Sequence, residues 1–249
     1  RDLPLAMTEA QRMRASDDDN AGHGRRALAM LHLTVGRFAA GLDELDAAGQ
    51  WFSDQGKSVP AASARYEAAR QASFLGRAPE VARMVERIRA GNSHYVAPSQ
   101  VIAAASAGDL SAAERLLRES PTMTDAGRLS VWVAYLRGDD ASVADAFART
   151  VDSTIGLSSM YFAGAAASRQ RESARALAIW QRLATHSDAW REPVLTRQAW
   201  LEIARLLEAT DPAGAARAYE AFLERTSDLL DDEVSRHAKQ RLLRLTPPR

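Results

Sequence analysis

The residues that could bind a metal ion are few and are badly spaced for that chemistry. Two histidines four residues apart on a helix can share one zinc ion, but the five histidines are scattered singly along the chain. The acidic run at 17–20 resembles the start of a calcium loop, which would continue to a glutamate about twelve residues on. Because Arg25 and Arg26 interrupt it, we interpret the run as an acidic cap at a helix start. We expect neither a metal site nor a bound cofactor.

The chain also lacks the usual catalytic motifs. It contains no cysteine, which excludes thiolate catalysis, disulfides and cysteine-based zinc sites. It contains no G-x-S-x-G nucleophile motif, no phosphate-cradling glycine loop and no H-E-x-x-H pair. We therefore predict that the protein is not an enzyme.

Charge and hydropathy limit the partners that can be expected. The 249 residues include 32 basic and 32 acidic side chains, so no net field favours nucleic acid or an anionic membrane. Apolar runs such as 131–136 are far shorter than the roughly 20 residues that cross a bilayer. We expect no nucleic-acid binding and no membrane insertion by this region. No targeting segment is visible, and we favour the cytoplasm over export. The opening RDLPLAM has no initiating Met, so we interpret the chain as a piece of a longer protein.

The elements that position the remaining side chains are helices. Ala, Leu, Arg and Glu dominate, and Gly and Pro fall mostly between periodic segments, which predicts an all-α fold. In LAMLHLTVGRFAAGLDELDAAG, at 28–49, Gly36 separates two segments of helical period. Small Ala29 lets the two helices approach, while Phe38 and Leu45 fill the space towards the next pair. This pattern predicts a helical hairpin.

The hairpin pattern recurs, and recurrence every 30 to 45 residues or so is typical of stacked helical repeats. The turn glycines lie 40, 32 and 30 residues apart, and two later turns have no glycine. At the last turn, Pro212 suits the first turn of a helix and Asp211 suits its N-cap. The predicted turns are Gly36, Gly76, Gly108, Gly138, Arg169 to Arg171 and Thr210-Asp211-Pro212.

We therefore predict one domain over residues 1–249, an α-solenoid of about six stacked hairpins. A helix near 4–15 precedes the hairpins and a capping helix at 229–244 closes them. The predicted hairpins span roughly 21–54, 59–90, 94–119, 123–150, 156–185 and 191–226.

The first hairpin resembles the tetratricopeptide repeat family. Its pattern includes Leu28, Ala29, His32 in the slot usually held by Tyr, Gly36, Phe38, Gly41, Leu45 and Ala48, with Arg25 where the family has an early Trp. In the last hairpin the matching residues are Ala215, Tyr219 and Phe222. The resemblance implies a non-catalytic protein-binding fold, and it covers nearly the whole chain.

The C-terminal segment carries a finer resemblance. The helix at 215–223, the acidic loop at 227–233 and the last helix at 234–245 are similar to the closing segment of repeat regions in bacterial signalling proteins. Those proteins are serine/threonine kinases, adenylate cyclases and winged-helix transcriptional regulators. The resemblance implies a sensory or scaffolding region, and it carries over no catalytic residue.

In a stacked-hairpin protein the first helices line a groove, and binding residues are expected there. Arginine and aromatic side chains on those helices are the candidates, because they dominate binding hot spots. The competing interpretation is packing between repeats for an aromatic residue and a solvated flank for an arginine. The family's carboxylate-binding Asn positions hold Met30, Arg70, Ile102 and Trp132, so that mode of tail binding is not expected. The groove candidates are Arg26, Tyr66, Arg70, Arg128, Trp132, Tyr135, Arg197 and Trp200.

Two functions remain open at this stage. The first is a protein-protein interaction scaffold of a larger bacterial signalling protein, which binds a peptide or a partner domain in its groove. The alternative is a ligand-sensing regulatory domain that controls an attached kinase, cyclase or transcription-factor domain. A third and weaker possibility is self-association through an exposed hairpin face.

Overall fold

The computed structural model describes residues 3–91, 94–150, 156–225 and 233–246. Within these ranges the chain is all-helical, with fourteen α-helices and no strand, as the sequence predicts. The helices are α1 (Leu3–Arg14), α2 (Asn20–Thr34), α3 (Phe38–Asp54), α4 (Ser58–Phe74), α5 (Ala78–Ala90), α6 (Val96–Ser106), α7 (Leu110–Glu119), α8 (Ala126–Arg137), α9 (Asp140–Thr150), α10 (Leu157–Arg169), α11 (Ser173–Ala184), α12 (Pro193–Leu207), α13 (Pro212–Leu223) and α14 (Glu233–Leu245).

The helices group into two compact units. Unit 1 comprises Arg1–His32 and Ala39–Arg137, and unit 2 comprises Leu33–Phe38 and Gly138–Arg249. Consecutive helices pack against each other from α4 to α8 in unit 1 and from α9 to α14 in unit 2. This is the packing of helical hairpins, which confirms the predicted fold class. The arrangement of all hairpins in a single domain stays a prediction.

In the described part of the chain the helices from α2 to α13 follow one another in six consecutive pairs. Each of the ranges from 21–54 to 191–226 covers one pair, except that α2 and α4 begin one residue earlier, at Asn20 and Ser58. The start of the predicted capping helix, at 229–232, lies outside the described residues, and α14 follows it.

The turns share one backbone conformation. At the end of α4 the N–H of Arg77 donates to the carbonyl of Ala72, and the N–H of Gly76 donates to that of Ser73. These two bonds form a Schellman motif, in which the residue after the helix has a left-handed backbone. The φ of Gly76 is 70°, and positive values also occur at Gly36, Gly56, Gly108 and Gly138.

Two turns depart from the predicted pattern. Gly56 makes the same motif between α3 and α4. This turn connects two hairpins, and it was not predicted from the sequence. Between α10 and α11 the left-handed residue is Arg171, with a φ of 62°. The last turn is as predicted, because Asp211 accepts the backbone N–H of Gly214 at 2.9 Å and Pro212 begins α13.

The apolar positions chosen from the sequence are buried. In the first hairpin, Ala29, Phe38, Leu45 and Ala48 are fully enclosed. Small residues allow the close approach that the pattern predicted. A Cβ added at Gly164 of α10 would lie 2.6 Å from the indole nitrogen of Trp180 on α11, so only glycine fits there.

None of the helices in the described ranges combines the length and the apolar character that crossing a bilayer requires.

The left-handed turns predict opposite effects for two glycine substitutions. Gly76→Ala should lower the free energy of unfolding by about 1 kcal/mol, because alanine is strained at positive φ although space is open around the site. The matched Gly127→Ala lies in α8, also in open space but without a positive φ, and should raise stability by about 0.5 kcal/mol. Urea unfolding of both variants measures the difference, and equal effects would contradict the role assigned to the turn.

Arg171→Gly should stabilise the protein by about 0.5 kcal/mol. Glycine relieves the strain of the left-handed backbone at this position, which is about 1 kcal/mol or more. The greater conformational freedom of glycine in the unfolded chain offsets part of this gain. As a control, Arg175→Gly inside α11 should destabilise by about 1 kcal/mol. Thermal unfolding of the two variants checks the prediction, which fails if both lose stability equally.

Candidate functional site

The eight candidate residues lie on first helices of hairpins, as the register predicts. Five of them belong to α4 and α8 of unit 1, one belongs to α2 of unit 1, and two belong to α12 of unit 2. In that order they are Tyr66, Arg70, Arg128, Trp132 and Tyr135; then Arg26; then Arg197 and Trp200.

Four of the five residues in α4 and α8 meet in one cluster. Its centre is Asp125, which directly precedes α8 with a φ of 64°. The Tyr66 hydroxyl donates to Asp125 Oδ2 at 3.0 Å, and Arg128 Nε donates to Asp125 Oδ1 at 3.1 Å. We call this set the α4–α8 cluster; it consists of Tyr66, Glu67, Arg70, Phe74, Asp125, Arg128 and Trp132.

The second half of the cluster surrounds Glu67. Arg70 Nη2 donates to Glu67 Oε1 at 2.7 Å, and Gln71 Nε2 donates to the same oxygen at 2.8 Å. The Arg70 guanidinium lies 5.8 Å from the ring centroid of Phe74. Phe74 in turn packs edge-on against Trp132 of α8, with 5.9 Å between the ring centroids. The Tyr66–Asp125 hydrogen bond and the Phe74–Trp132 contact thus join the two helices, and an ion pair on each side completes the cluster.

The pKa values of the cluster follow from its burial and its charges. Burial raises the pKa of Glu67, but the charge of Arg70 and the hydrogen bonds from Gln71 and Arg70 outweigh it, so the pKa lies below 4.5. Burial, together with the negative charge of Asp125, raises the pKa of Tyr66. Tyr66 therefore stays neutral at physiological pH and acts as a hydrogen-bond donor.

The cluster balances its charges internally. Its two arginines face two carboxylates, each three residues earlier on the same segment, so it presents no net charge. Arg70 and Trp132 are each only 7% exposed, whereas Arg128 and Tyr135 are half-buried. Arg70 is thus held by the protein itself, and among the candidates on α4 and α8 the side chains that are more accessible to a partner are Arg128 and Tyr135.

An aromatic contact extends the cluster towards α6. The Tyr66 ring lies 5.1 Å from that of Tyr95, which directly precedes α6, and Tyr95 lies 4.3 Å from the His94 ring. Along the same side of unit 1, α4 contacts α6 and α6 contacts α8. The first helices of three successive hairpins are therefore neighbours.

The candidates on α12 have a different setting. Arg197 is buried, with its guanidinium 4.2 Å from the Phe222 ring centroid and a 3.5 Å contact from Nη2 to the Ser235 hydroxyl. Trp200 is half-buried beneath the guanidinium of Arg225, at 5.9 Å, and burial lowers the pKa of Arg225. These contacts pack α12 against α13 and α14. Arg26, on α2, is half-buried.

The two acidic members of the cluster, Glu67 and Asp125, were not predicted from the sequence. Glu67 precedes Arg70 by three residues and Asp125 precedes Arg128 by three, the spacing at which side chains of opposite charge meet on a helix. That repeated spacing is the signal that could have identified them. Phe74 and Tyr95 carried no such signal, because their contacts join residues far apart in the sequence.

The acidic run at 17–20 lies at a helix start, as predicted. Asp18 Oδ1 accepts the backbone N–H of Asn20, the first residue of α2, at 3.0 Å and the hydroxyl of Ser16 at 2.8 Å. These bonds lower the pKa of Asp18. Within the described ranges, no three His, Asp or Glu side chains converge as metal ligands would.

Unit 2 contains an open cavity of about 450 Å³ between α12 and α14. Five of its six lining residues are polar or charged, including two arginines and one carboxylate, and the sixth is an exposed valine. The lining residues are Arg205, Glu233, Val234, Arg236, His237 and Gln240.

No protein-family model matches the chain, and no curated protein is significantly similar to it. The resemblance to tetratricopeptide repeats, and to the repeat regions of bacterial signalling proteins, stays a prediction.

Glu67→Gln should change the pH dependence of stability. The pKa of Glu67 in the folded protein lies below its ordinary value of 4.5. The charged carboxylate therefore stabilises the fold at neutral pH, and this contribution is lost as the pH falls through the pKa of the folded state. At pH 7 the variant should be less stable by about 2 kcal/mol, since a charged hydrogen-bond acceptor beside the buried Arg70 is lost. The difference in stability between the variant and the unmodified chain should disappear as the pH falls below 4.5.

The control is Glu86→Gln on α5, where an exposed ion pair with Arg89 should contribute less than about 0.5 kcal/mol. Denaturant unfolding from pH 7 to pH 3 measures both variants. A gap for Glu67→Gln that is constant over this range would contradict the assigned ion pair.

Proposed function

We propose that this protein is a non-catalytic interaction scaffold that binds a peptide or a partner domain on the face formed by α4, α6 and α8. The observation that carries the proposal is the side-by-side packing of these three first helices, which brings Arg and aromatic side chains of separate hairpins together. Stacked-hairpin proteins use such a face for binding.

The chemistry of the α4–α8 cluster suggests the kind of partner. Its two arginines are neutralised by Glu67 and Asp125, so the face has no excess positive charge with which to hold a strongly acidic tail. Tyr135 and Arg128 offer an amphipathic ring and a planar cation, which favour a partner of mixed polarity. The occupation of the family's Asn positions by Arg70, Ile102 and Trp132 also argues against capture of a C-terminal carboxylate.

The proposed context is a larger bacterial signalling or regulatory protein. Its support is the sequence of α13 and α14, which is similar to the closing segments of repeat regions attached to kinases, cyclases and winged-helix regulators. In that context the face of unit 1 would recruit a substrate or a second component for the attached domain.

Ligand sensing is the second candidate function, and the cavity between α12 and α14 is the observation that favours it. A small anionic metabolite could contact Arg205 and Arg236 there. A ligand present at 100 times its dissociation constant would stabilise the protein by about 2.7 kcal/mol. A thermal-shift screen of metabolites would detect it, and the shift should disappear in Arg205→Gln with Arg236→Gln.

Site-specific photo-crosslinking tests the scaffold proposal directly. Reversing Arg70 to Glu would place a third carboxylate in a buried cluster and would damage the fold, so a loss of binding by that variant would be uninformative. A benzophenone amino acid at Tyr135 places the probe on the proposed face without removing a cluster residue. The same probe at the exposed Arg118, on α7, places it on a second helix as the matched control.

In cells, the probe at position 135 should form a discrete crosslinked complex that the probe at position 118 does not form. The variant Arg128→Gln, combined with the probe at 135, should reduce the yield severalfold. Equal crosslinking at both positions, or none at 135 in cells that express the native full-length protein, would overturn the proposal.

A further inference from the structure

A second charged cluster in unit 1 has an excess of positive charge. We call it the three-arginine cluster; it consists of Asp46 on α3, Arg65 on α4, and Arg83 and Arg87 on α5. Arg87 Nη1 lies 2.6 Å from both carboxylate oxygens of Asp46. Arg83 Nη1 is 3.9 Å from Oδ2, and Arg65 Nε is 4.0 Å from Oδ1. Three guanidinium groups thus surround one carboxylate.

Most of the hydrogen-bond donors in the cluster are not used by Asp46. Each guanidinium carries five N–H donors, and Asp46 engages only Nη1 of Arg87 at hydrogen-bonding distance. Arg65 Nη2 donates to Gln50 Oε1 at 3.3 Å, while Arg65 Nε is buried without a hydrogen-bond acceptor in the described chain. At 3.9 Å, Arg83 is too distant to donate to Asp46.

The charges in the cluster do not balance either. Asp46 supplies one negative charge against three positive charges. Asp54 also acts on Arg65, but its carboxylate accepts a hydrogen bond from Gln50 at 2.7 Å. Burial, with a contribution from the positive charge of Arg87, lowers the pKa of Arg65. With both carboxylates counted, the cluster still retains about one unit of positive charge, in contrast to the neutral α4–α8 cluster.

A purely structural role explains only part of this arrangement. One arginine is enough to neutralise Asp46, which is 9% exposed, and each additional guanidinium repels the others. Arg83 and Arg87 lie one turn apart on α5, and their side chains are 46% and 43% exposed. The cluster is therefore open to solvent along α5 and closed by Arg65 on its inner side.

We propose that the three-arginine cluster is a binding site for a phosphate group, which approaches along α5 and is held by Arg83 and Arg87 with Arg65 behind them. A tetrahedral dianion has enough oxygen atoms to accept bonds from two arginine forks at once, and its charge offsets the excess of the cluster. The solvent-open side of this site lies on α5, the second helix of its hairpin, whereas the face proposed for partner binding is formed by the first helices α4, α6 and α8.

Calorimetric titration of the purified chain with inorganic phosphate tests this proposal. Chloride keeps the ionic strength constant, so that general screening cannot produce the signal. A second titration uses O-phosphoserine, which separates free phosphate from a phosphate group carried on a side chain. Saturable binding of either compound at about one molecule per chain is the expected result.

One double variant and one control locate the site. Arg83→Gln with Arg87→Gln should weaken binding at least about tenfold, the factor that corresponds to loss of one charge-assisted hydrogen bond. Arg89→Gln, also on α5 but paired with Glu86, should bind like the unmodified chain. Circular dichroism establishes that each variant is folded.

Asp46→Asn keeps the test informative if the double variant does not fold. This change removes the competing carboxylate and frees the donors of Arg87, so phosphate should bind more tightly. If the cluster serves only to join α3, α4 and α5, Asp46→Asn should lose stability and gain no phosphate affinity. That result, or equal phosphate binding by the double variant and Arg89→Gln, would overturn the proposal.

Discussion

A single left-handed residue after the first helix is the constraint on which this architecture depends. Positive φ at Gly76 and Gly108 in unit 1, and at Arg171 in unit 2, closes the turn between two helices within about three residues. A longer connection would leave the angle between the two helices undetermined, whereas this short turn makes them pack antiparallel. In unit 1 such turns follow α4 and α6, and the first helices α4, α6 and α8 come side by side.

Close packing of these helices has an electrostatic consequence. Alanine fills most of the buried positions of α4, and the helices approach so closely that arginines on the same helix are buried as well. A buried guanidinium is costly unless it is paired, and Arg70 and Arg65 differ in how fully they are paired. Arg70 pairs with Glu67 on its own helix, while Arg65 shares Asp46 with two arginines of α5.

The two proposed surfaces of unit 1 differ in their charge balance. The α4–α8 cluster is neutral and aromatic, and a partner there would gain contact area and hydrogen bonds with little help from net charge. The three-arginine cluster is short of negative charge and has unused donors, so a small anion would gain from electrostatics with little contact area. One repeat architecture thus places two kinds of recognition chemistry on different helices of the same unit.

The helices, most of their turns and their buried faces could be predicted from the sequence, because these features depend on spacing within a few residues. Gly36, Pro212 and the positions of Phe38 and Leu45 were readable in this way. The sequence also placed Tyr66, Arg70, Arg128 and Trp132 on one side of the first helices. The tertiary structure was needed to show that Asp125 joins α4 to α8 and that Asp46 gathers three arginines. Such contacts join residues up to 59 positions apart, and helical periodicity holds no information about which partner a charge will find there.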